Sequence, residues 1–248
     1  MSDFKIVGTY RVRNEERFIE KSLKSIIDIC SEIVILDDNS TDKTIEICSS
    51  FDKVVDIQKQ SDLPLDEVRD RNLLLQMALK RKSDFILSID GDEIFASNSA
   101  DILFEELDIL YPKNNVFEFQ FLTLWDSPSQ IRFDGIFGNY WQKRLFRTKN
   151  QPSNLKFTNT DNPGNLHCGS VPKNVHGFEN PIRSDVKIFH MASIDETLRK
   201  QKYDYYTKLD ADSTLTDGYK HMISGDGRFS GPNGIEIKRL NKEFMMEI

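Results

Sequence analysis

Cysteine is scarce: three in 248 residues, Cys30, Cys48 and Cys168. The odd count, wide spacing and lack of a Cys-x-x-Cys pair argue against a disulfide framework or a cysteine zinc site. A reduced, cytoplasmic chain is the expectation. Long apolar runs are also missing. None approaches the ~18 residues a membrane helix needs. The opening MSDFKIVGTY has too short an apolar stretch for a secretory signal. Asn39-Ser40-Thr41 fits a glycosylation pattern, but without a secretory signal it reads as an ordinary surface triplet. Positive charge is in deficit. Lys and Arg number 33 against 40 Asp and Glu, a net charge of −7, which argues against nucleic acid as the main partner. Internal repeats and low-complexity tracts are absent. The remainder, 38% hydrophobic and 29% charged, is globular composition, long enough for one large domain or a domain with an appendage.

Strand and helix signals alternate through the first 110 residues. Phe4 to Thr9 reads as a strand and residues 15 to 30 as an amphipathic helix. Ile33 to Leu36 is a fully apolar strand. Ser40 or Thr41 is expected to cap a helix that runs to about Ser49, with Asp42 in its first turn. A strand at Val54 to Ile57, a helix over 66–81, a strand at Phe85 to Ile89 and a helix over 99–110 follow. Continuous apolar strands separated by helices imply an α/β fold with a mostly parallel sheet, covered on both faces. The second half differs. Residues 116–147 are rich in aromatic and β-branched residues and predict antiparallel strands. Residues 148–182 predict long loops, Val186 to Phe189 a last strand ending at His190, and 194–209 a helix.

Carboxylates follow two of the buried strands at once. Asp37 and Asp38 close the run IVIL. Asp90, Gly91, Asp92 and Glu93 close the run FILSI. In parallel sheets ligands bind at the carboxyl ends of the strands, so these acids should converge on one edge. A buried carboxylate is costly unless paired, hydrogen-bonded or metal-bound. The acid turn is therefore either a strand running into solvent or the seat of a cation.

Four stretches in this order resemble the nucleotide-diphospho-sugar glycosyltransferases of family 2, which have the GT-A fold. They are TYRVRNEERFIEKSLKSI (9–26), IVILDDNSTDKT (33–44), VRDRNLLLQMAL (68–79) and FILSIDGDEIF (85–95). KRLFR (143–147) and IFHMAS (188–193) are similar to a subgroup that adds sugars to lipopolysaccharide core. The resemblance implies a Rossmann-like first half that binds the nucleotide sugar, residues 1–112. It implies a loop-rich acceptor half, 113–210, with a flexible tail at 211–248. The implied reaction is a metal-dependent, inverting transfer of a hexose from a nucleoside-diphosphate sugar, a UDP-sugar first, to a hydroxyl of a saccharide or lipid-linked saccharide. The implied metal is Mn²⁺ or Mg²⁺, since hard cations prefer carboxylate oxygen. No nucleic acid and no transmembrane segment enter; peripheral membrane association stays open.

Residue by residue, the resemblance makes Asp92 a metal ligand and places Asp90, with Gly91 beside it, at the ribose or the metal's waters. His190 completes the metal site. Asp37 and Asp38 recognise the base, and Arg71 meets phosphate or base, with Asn72 capping its helix. Thr9, Arg11, Arg13 and Asn14 belong to the first loop. Arg13 stands where many relatives carry an aromatic residue. The related subgroup has a His-Glu pair where this chain has His167-Cys168 in NLHCGSVP. The proton acceptor therefore falls first to His167 or Asp161, with Asp134, Glu118, Glu179 and His176 behind them. Trp125, Tyr140 and Trp141 could line an acceptor groove. Two other classes remain: a sugar-nucleotide-binding relative without catalysis, and a phosphatase of the haloacid dehalogenase kind, whose Asp-x-Asp lies nearer the N-terminus.

Overall fold

The computed structural model describes residues 4–61, 63–110, 115–210, 219–224 and 229–240. The elements are β1 (Ile6–Val12), α1 (Ile19–Ile26), β2 (Glu32–Asp37), α2 (Thr44–Ser49), β3 (Val54–Lys59), α3 (Glu67–Lys80), β4 (Phe85–Asp90), β5 (Glu93–Phe95), α4 (Ser99–Leu110), β6 (Val116–Thr123), β7 (Gln130–Arg132), β8 (Trp141–Arg147), β9 (Ile182–His190), α5 (Glu196–Leu209) and β10 (Ile237–Arg239). An eight-stranded sheet runs β3-β2-β1-β4-β8-β6-β9-β5, and β10 pairs with β7 in a second sheet. The α/β class expected from the alternating pattern is the class observed.

The described residues fall into two compact units, Met1–Phe119 with Gln142–Val186, and Gln120–Trp141 with Lys187–Ile248. In the first unit β1, β2, β3 and β4 pair in parallel, and β8 runs antiparallel to β4. Ile33, Val34, Ile35 and Leu36 are fully buried, as strands covered on both faces require. The chain leaves β1 to build β2 and β3 on one side, then returns to build β4 on the other. That reversal is a topological switch point, where open α/β sheets bind ligands. Register sets the residues level: Arg11 lies opposite Asp90 on one side, and Val12 opposite Asp37 on the other.

The differences from expectation have local causes. Thr9 and Arg11 lie in β1 rather than on a loop, because the strand runs three residues further than its apolar run. Helix α1 starts at Ile19, not near residue 15. The N–H groups of Asn14, Glu15 and Glu16 donate instead to Ser40 Oγ, Thr44 Oγ1 and Asp42 Oδ2, tying the first loop to the second. Ser40 is committed to that tie and does not cap α2. Asp42 accepts from the Thr44 N–H at 3.0 Å. Helix α3 is capped by Asp66, whose Oδ1 accepts from the Arg69 N–H at 2.9 Å. Asn72 sits inside that helix and is not its cap. Strands β5 and β10 were not foreseen. Of the expected tail, residues 211–218, 225–228 and 241–248 lie outside the described residues.

Candidate active site

The acids do converge, and arginines meet them. At the end of β2, Asp38 Oδ2 accepts from Arg11 Nη2 at 2.6 Å and from Arg13 Nη1 at 3.4 Å. Arg11 Nε donates to Asp70 Oδ2 on α3 at 2.7 Å. The other Asp70 oxygen accepts from Arg69 Nε at 2.8 Å and Gln60 Nε2 at 3.1 Å. Burial works against the Arg11 charge, but the hydrogen bond it donates to Asp70 and the charge of Asp38 prevail and hold its pKa above the usual arginine value. Asp37 is fully buried. Its Oδ1 accepts from the Ser40 N–H at 3.0 Å, and its Oδ2 has no hydrogen-bond partner among the described residues. An orphaned buried acceptor costs about 1–3 kcal/mol.

The acid turn after β4 is the second cluster. Arg71 Nη2 donates to Asp90 Oδ1 at 3.0 Å, and Arg144 Nη2, from β8, donates to Asp90 Oδ2 at 3.1 Å. Arg144 also binds Glu93 Oε1 and Ser170 Oγ. Burial alone would raise the Asp90 pKa, but the charges of Arg144 and Arg71 hold it well below the usual carboxylate range. Glu93 moves the other way. Burial pushes its carboxyl well up, Arg144 opposes, and the charges of Asp90 and Asp92 add to the rise. Asp90 keeps 36% of its side chain exposed while Asp92 and Glu93 are buried, so it is the acid that presents itself outward. Gly91 is required by packing: a Cβ there would meet Glu15 Cγ at 2.7 Å.

Arg71 carries unused capacity. Its Nε and Nη1 are buried without a partner among the described residues. It lines a cavity with Thr9, Leu74, Leu75, Ser88 and Phe157 that has no room for a water molecule. Thr9 is buried, and its hydroxyl donates to Ser88 Oγ at 3.3 Å. Asn14, in the left-handed region at φ 54°, accepts from the Thr41 N–H at 2.8 Å and so shapes the loop between the two acid pairs.

The loop after β8 is pinned to α3. Asn72 donates to Phe157 O at 3.0 Å and accepts from the Phe157 N–H at 2.9 Å. Asn165 Nδ2 donates to Asp66 Oδ1 at 2.9 Å. Asp161 and His167 are both exposed on this loop, His167 at φ 62°. Burial pushes the Cys168 thiol up to about 11, so at neutral pH it is a thiol and not a nucleophilic thiolate.

The second unit holds His190, Asp134 and Trp125, and the first holds Glu118 and His176. His190 ends β9, its backbone carbonyl accepting from the Leu124 N–H at 3.0 Å and its ring lying edge-on to Phe121. Both oxygens of Asp134 are taken up by donors. Burial raises its pKa, but a bidentate bond from Arg132 at 2.6 and 2.7 Å and the N–H groups of Gly231 and Glu236 lower it below the ordinary value. Trp125 does not line a groove. It is buried with Arg132 and Arg199 guanidinium carbons 4.8 and 4.3 Å from its ring centre. Glu118 pairs with Arg183, and the His176 ring contacts Asn150 O.

Residues 11–112 match the family model described as Glycosyl transferase family 2. That segment contains the acids of both clusters, Asp37, Asp38, Asp70, Asp90, Asp92 and Glu93. No curated protein matches the chain. Among solved structures, it is similar to S. aureus TarS 1–349 at TM-score 0.47 and 14% identity, covering 88% of this chain and 70% of that one. It is also similar to glucosyl-3-phosphoglycerate synthase from Mycobacterium tuberculosis in complex with Mn²⁺, uridine diphosphate and glucosyl-3-phosphoglycerate. There the TM-score is 0.34 and the identity 17%, covering 49% of this chain and 44% of that one. The chain thus spans less than half of the synthase.

Arg144 and Asp70 were missed by sequence reasoning. A signal for Arg144 existed: an arginine inside the apolar strand KRLFR needs a carboxylate nearby. Among the described residues no three His, Cys, Asp or Glu side chains are grouped to hold a metal ion, and no helix is long and apolar enough to cross a membrane.

Proposed function

We propose that the chain is a metal-dependent, inverting glycosyltransferase. It moves a hexose from a nucleoside-diphosphate sugar, a UDP-sugar first, to a hydroxyl of a saccharide or lipid-linked saccharide such as lipopolysaccharide core. The observation that carries this reading is the arginine-braced acid turn at the switch point of the sheet, inside the segment the family model matches. Residues 1–112 form the donor-binding half and 113–210 the acceptor half. The buried thiols suit a reducing, cytoplasmic setting.

Asp92 is a hard oxygen donor, and Asp90, one residue away, meets the ribose or the cation's waters. Mg²⁺ ordinarily takes one or two carboxylates and fills its other positions with substrate phosphates and water, so this arrangement fits without a third side chain. Mn²⁺ suits the same oxygen donors. Bound there, the cation supplies Lewis-acid stabilisation of the leaving diphosphate. The reading does not rest on His190. Arg71 meets the diphosphate or the base, with its Nε and Nη1 nitrogens open to a further acceptor. Asp37 Oδ2 accepts an N–H of the base. His167 or Asp161 takes the proton of the acceptor hydroxyl.

Incubation with UDP-, GDP- and CDP-hexoses, Mn²⁺ and a mixed saccharide acceptor pool, followed by nucleoside diphosphate release, tests the reading. Release from one donor class, lost in Asp92→Ala, is expected. Cys168 in place of a carboxylate favours one alternative, a binding protein without turnover; tight UDP binding with no release would establish it. Phosphatase chemistry is disfavoured because both oxygens of Asp90 are held by arginines.

A further inference from the structure

The buried Arg144 joins three groups that lie far apart in the sequence. One Nη reaches the Asp90 and Glu93 carboxylates of the acid turn, and the other reaches Ser170. Asp90 is 54 residues away and Ser170 is 26. Ser170 belongs to the same loop as His167 and Cys168. β8 lies beside β4, pairing Leu87 with Leu145 and Ile86 with Phe146, so the backbone on both sides is fixed by sheet hydrogen bonds. Glu93 Oε2 in turn accepts from the Asp90 N–H at 3.1 Å, which closes the turn on itself.

Asp90 is therefore held from two directions, by Arg71 on α3 and by Arg144 on β8. Either contact alone leaves its carboxylate free to swing about χ2, a broad torsion. Together they select one orientation. A planar guanidinium can hold acceptors in several fixed directions at once, whereas a lysine is a point charge that cannot.

We infer that Arg144 is a positioning residue of the donor site: it sets the orientation of Asp90 and, through Ser170, seats the loop carrying His167 against the acid turn. This inference rests on the donor-site reading given above. It assigns Arg144 no contact with the reacting atoms. Removing it should weaken the part of nucleotide binding that depends on the cation more than the part that does not.

The test is calorimetric titration of UDP into the full chain with and without Mn²⁺, for the wild type, Arg144→Lys, Arg144→Gln, Ser170→Ala and Asp92→Ala. Far-ultraviolet melting is run on each to confirm folding. The gain in affinity from Mn²⁺ is the readout, because a merely structural loss would lower both affinities together. Arg144→Lys and Arg144→Gln are expected to lose about tenfold of that gain, and Ser170→Ala about threefold, with Mn²⁺-free binding little changed. If the Arg144 variants keep the wild-type gain while Asp92→Ala loses it, the positioning role is wrong and the donor site stands. If Arg144→Gln fails to fold, the result for Arg144→Lys decides. If the wild type binds no UDP under either condition, the donor-site reading and this inference fall together.

Discussion

Asp134→Asn should be one of the most destabilising conservative changes in the second unit. Asp134 and Arg132 are 1% and 0% exposed at their side chains. Asp134 accepts from Arg132 Nε and Nη2, and from the N–H groups of Gly231 and Glu236, both at 3.1 Å. Arg132 reaches on to Ser230 Oγ and His221 O. The pair is thus the post to which His221, Ser230, Gly231 and Glu236 are fastened. An asparagine keeps one acceptor oxygen and turns an NH₂ toward groups that are all donors. Breaking a buried pair by removing one partner costs about 3–5 kcal/mol. With a urea slope of roughly 2 kcal/mol per molar, the midpoint should fall by about 2 M. Urea titration at pH 7, followed by tryptophan fluorescence, reads this directly, since Trp125 lies against Arg132. A pH series adds a second check. The Asp134 pKa is depressed in the folded chain, so its contribution is present above the unfolded value of about 3.9 and is lost as pH falls through the folded value. The gap between wild type and variant should therefore close below about pH 4. A midpoint shift under about 0.5 M would mean that the pair does not fasten these residues.

Two further outcomes follow from the first unit. Gly91→Ala should weaken UDP binding several-fold and lower the melting temperature, because its Cβ would press on Glu15 Cγ and displace the acid turn; unchanged binding by calorimetry would remove Gly91 from the site. Asn72→Ala should cost about 2–3 kcal/mol by urea titration, since it removes both bonds to Phe157 and leaves that buried backbone unpaired. Limited proteolysis should then cut the 155–171 loop faster.

The sheet and its acid edge could be read from sequence because both rest on local patterns. Runs such as IVIL and FILSI bury on both faces, and the acids that end them must then sit at the carboxyl edge. The braces could not be read this way. Arg144 meets Asp90 across 54 residues, and Arg11 meets Asp70 across 59. Which carboxylate an arginine finds depends on strand order and on register, and neither is periodic. The same holds for Asp134. Its spacing from Arg132 suggests a local pair, but two of its four bonds depend on residues 231 and 236 returning to it. Helix starts failed where loop side chains compete for backbone donors, as Ser40, Asp42 and Thr44 do for residues 14–16.

If the braced acid turn receives a cation together with a nucleoside diphosphate, Mn²⁺ and UDP must bind there cooperatively. Equilibrium titration of Mn²⁺, followed by its electron paramagnetic resonance signal, tests it on the full chain with and without UDP. Weak Mn²⁺ binding alone, about tenfold tighter binding or more with UDP, and loss of that gain in Asp92→Ala are expected. Equal Mn²⁺ affinity with and without UDP, or a gain that survives in Asp92→Ala, would contradict cooperative binding at the acid turn.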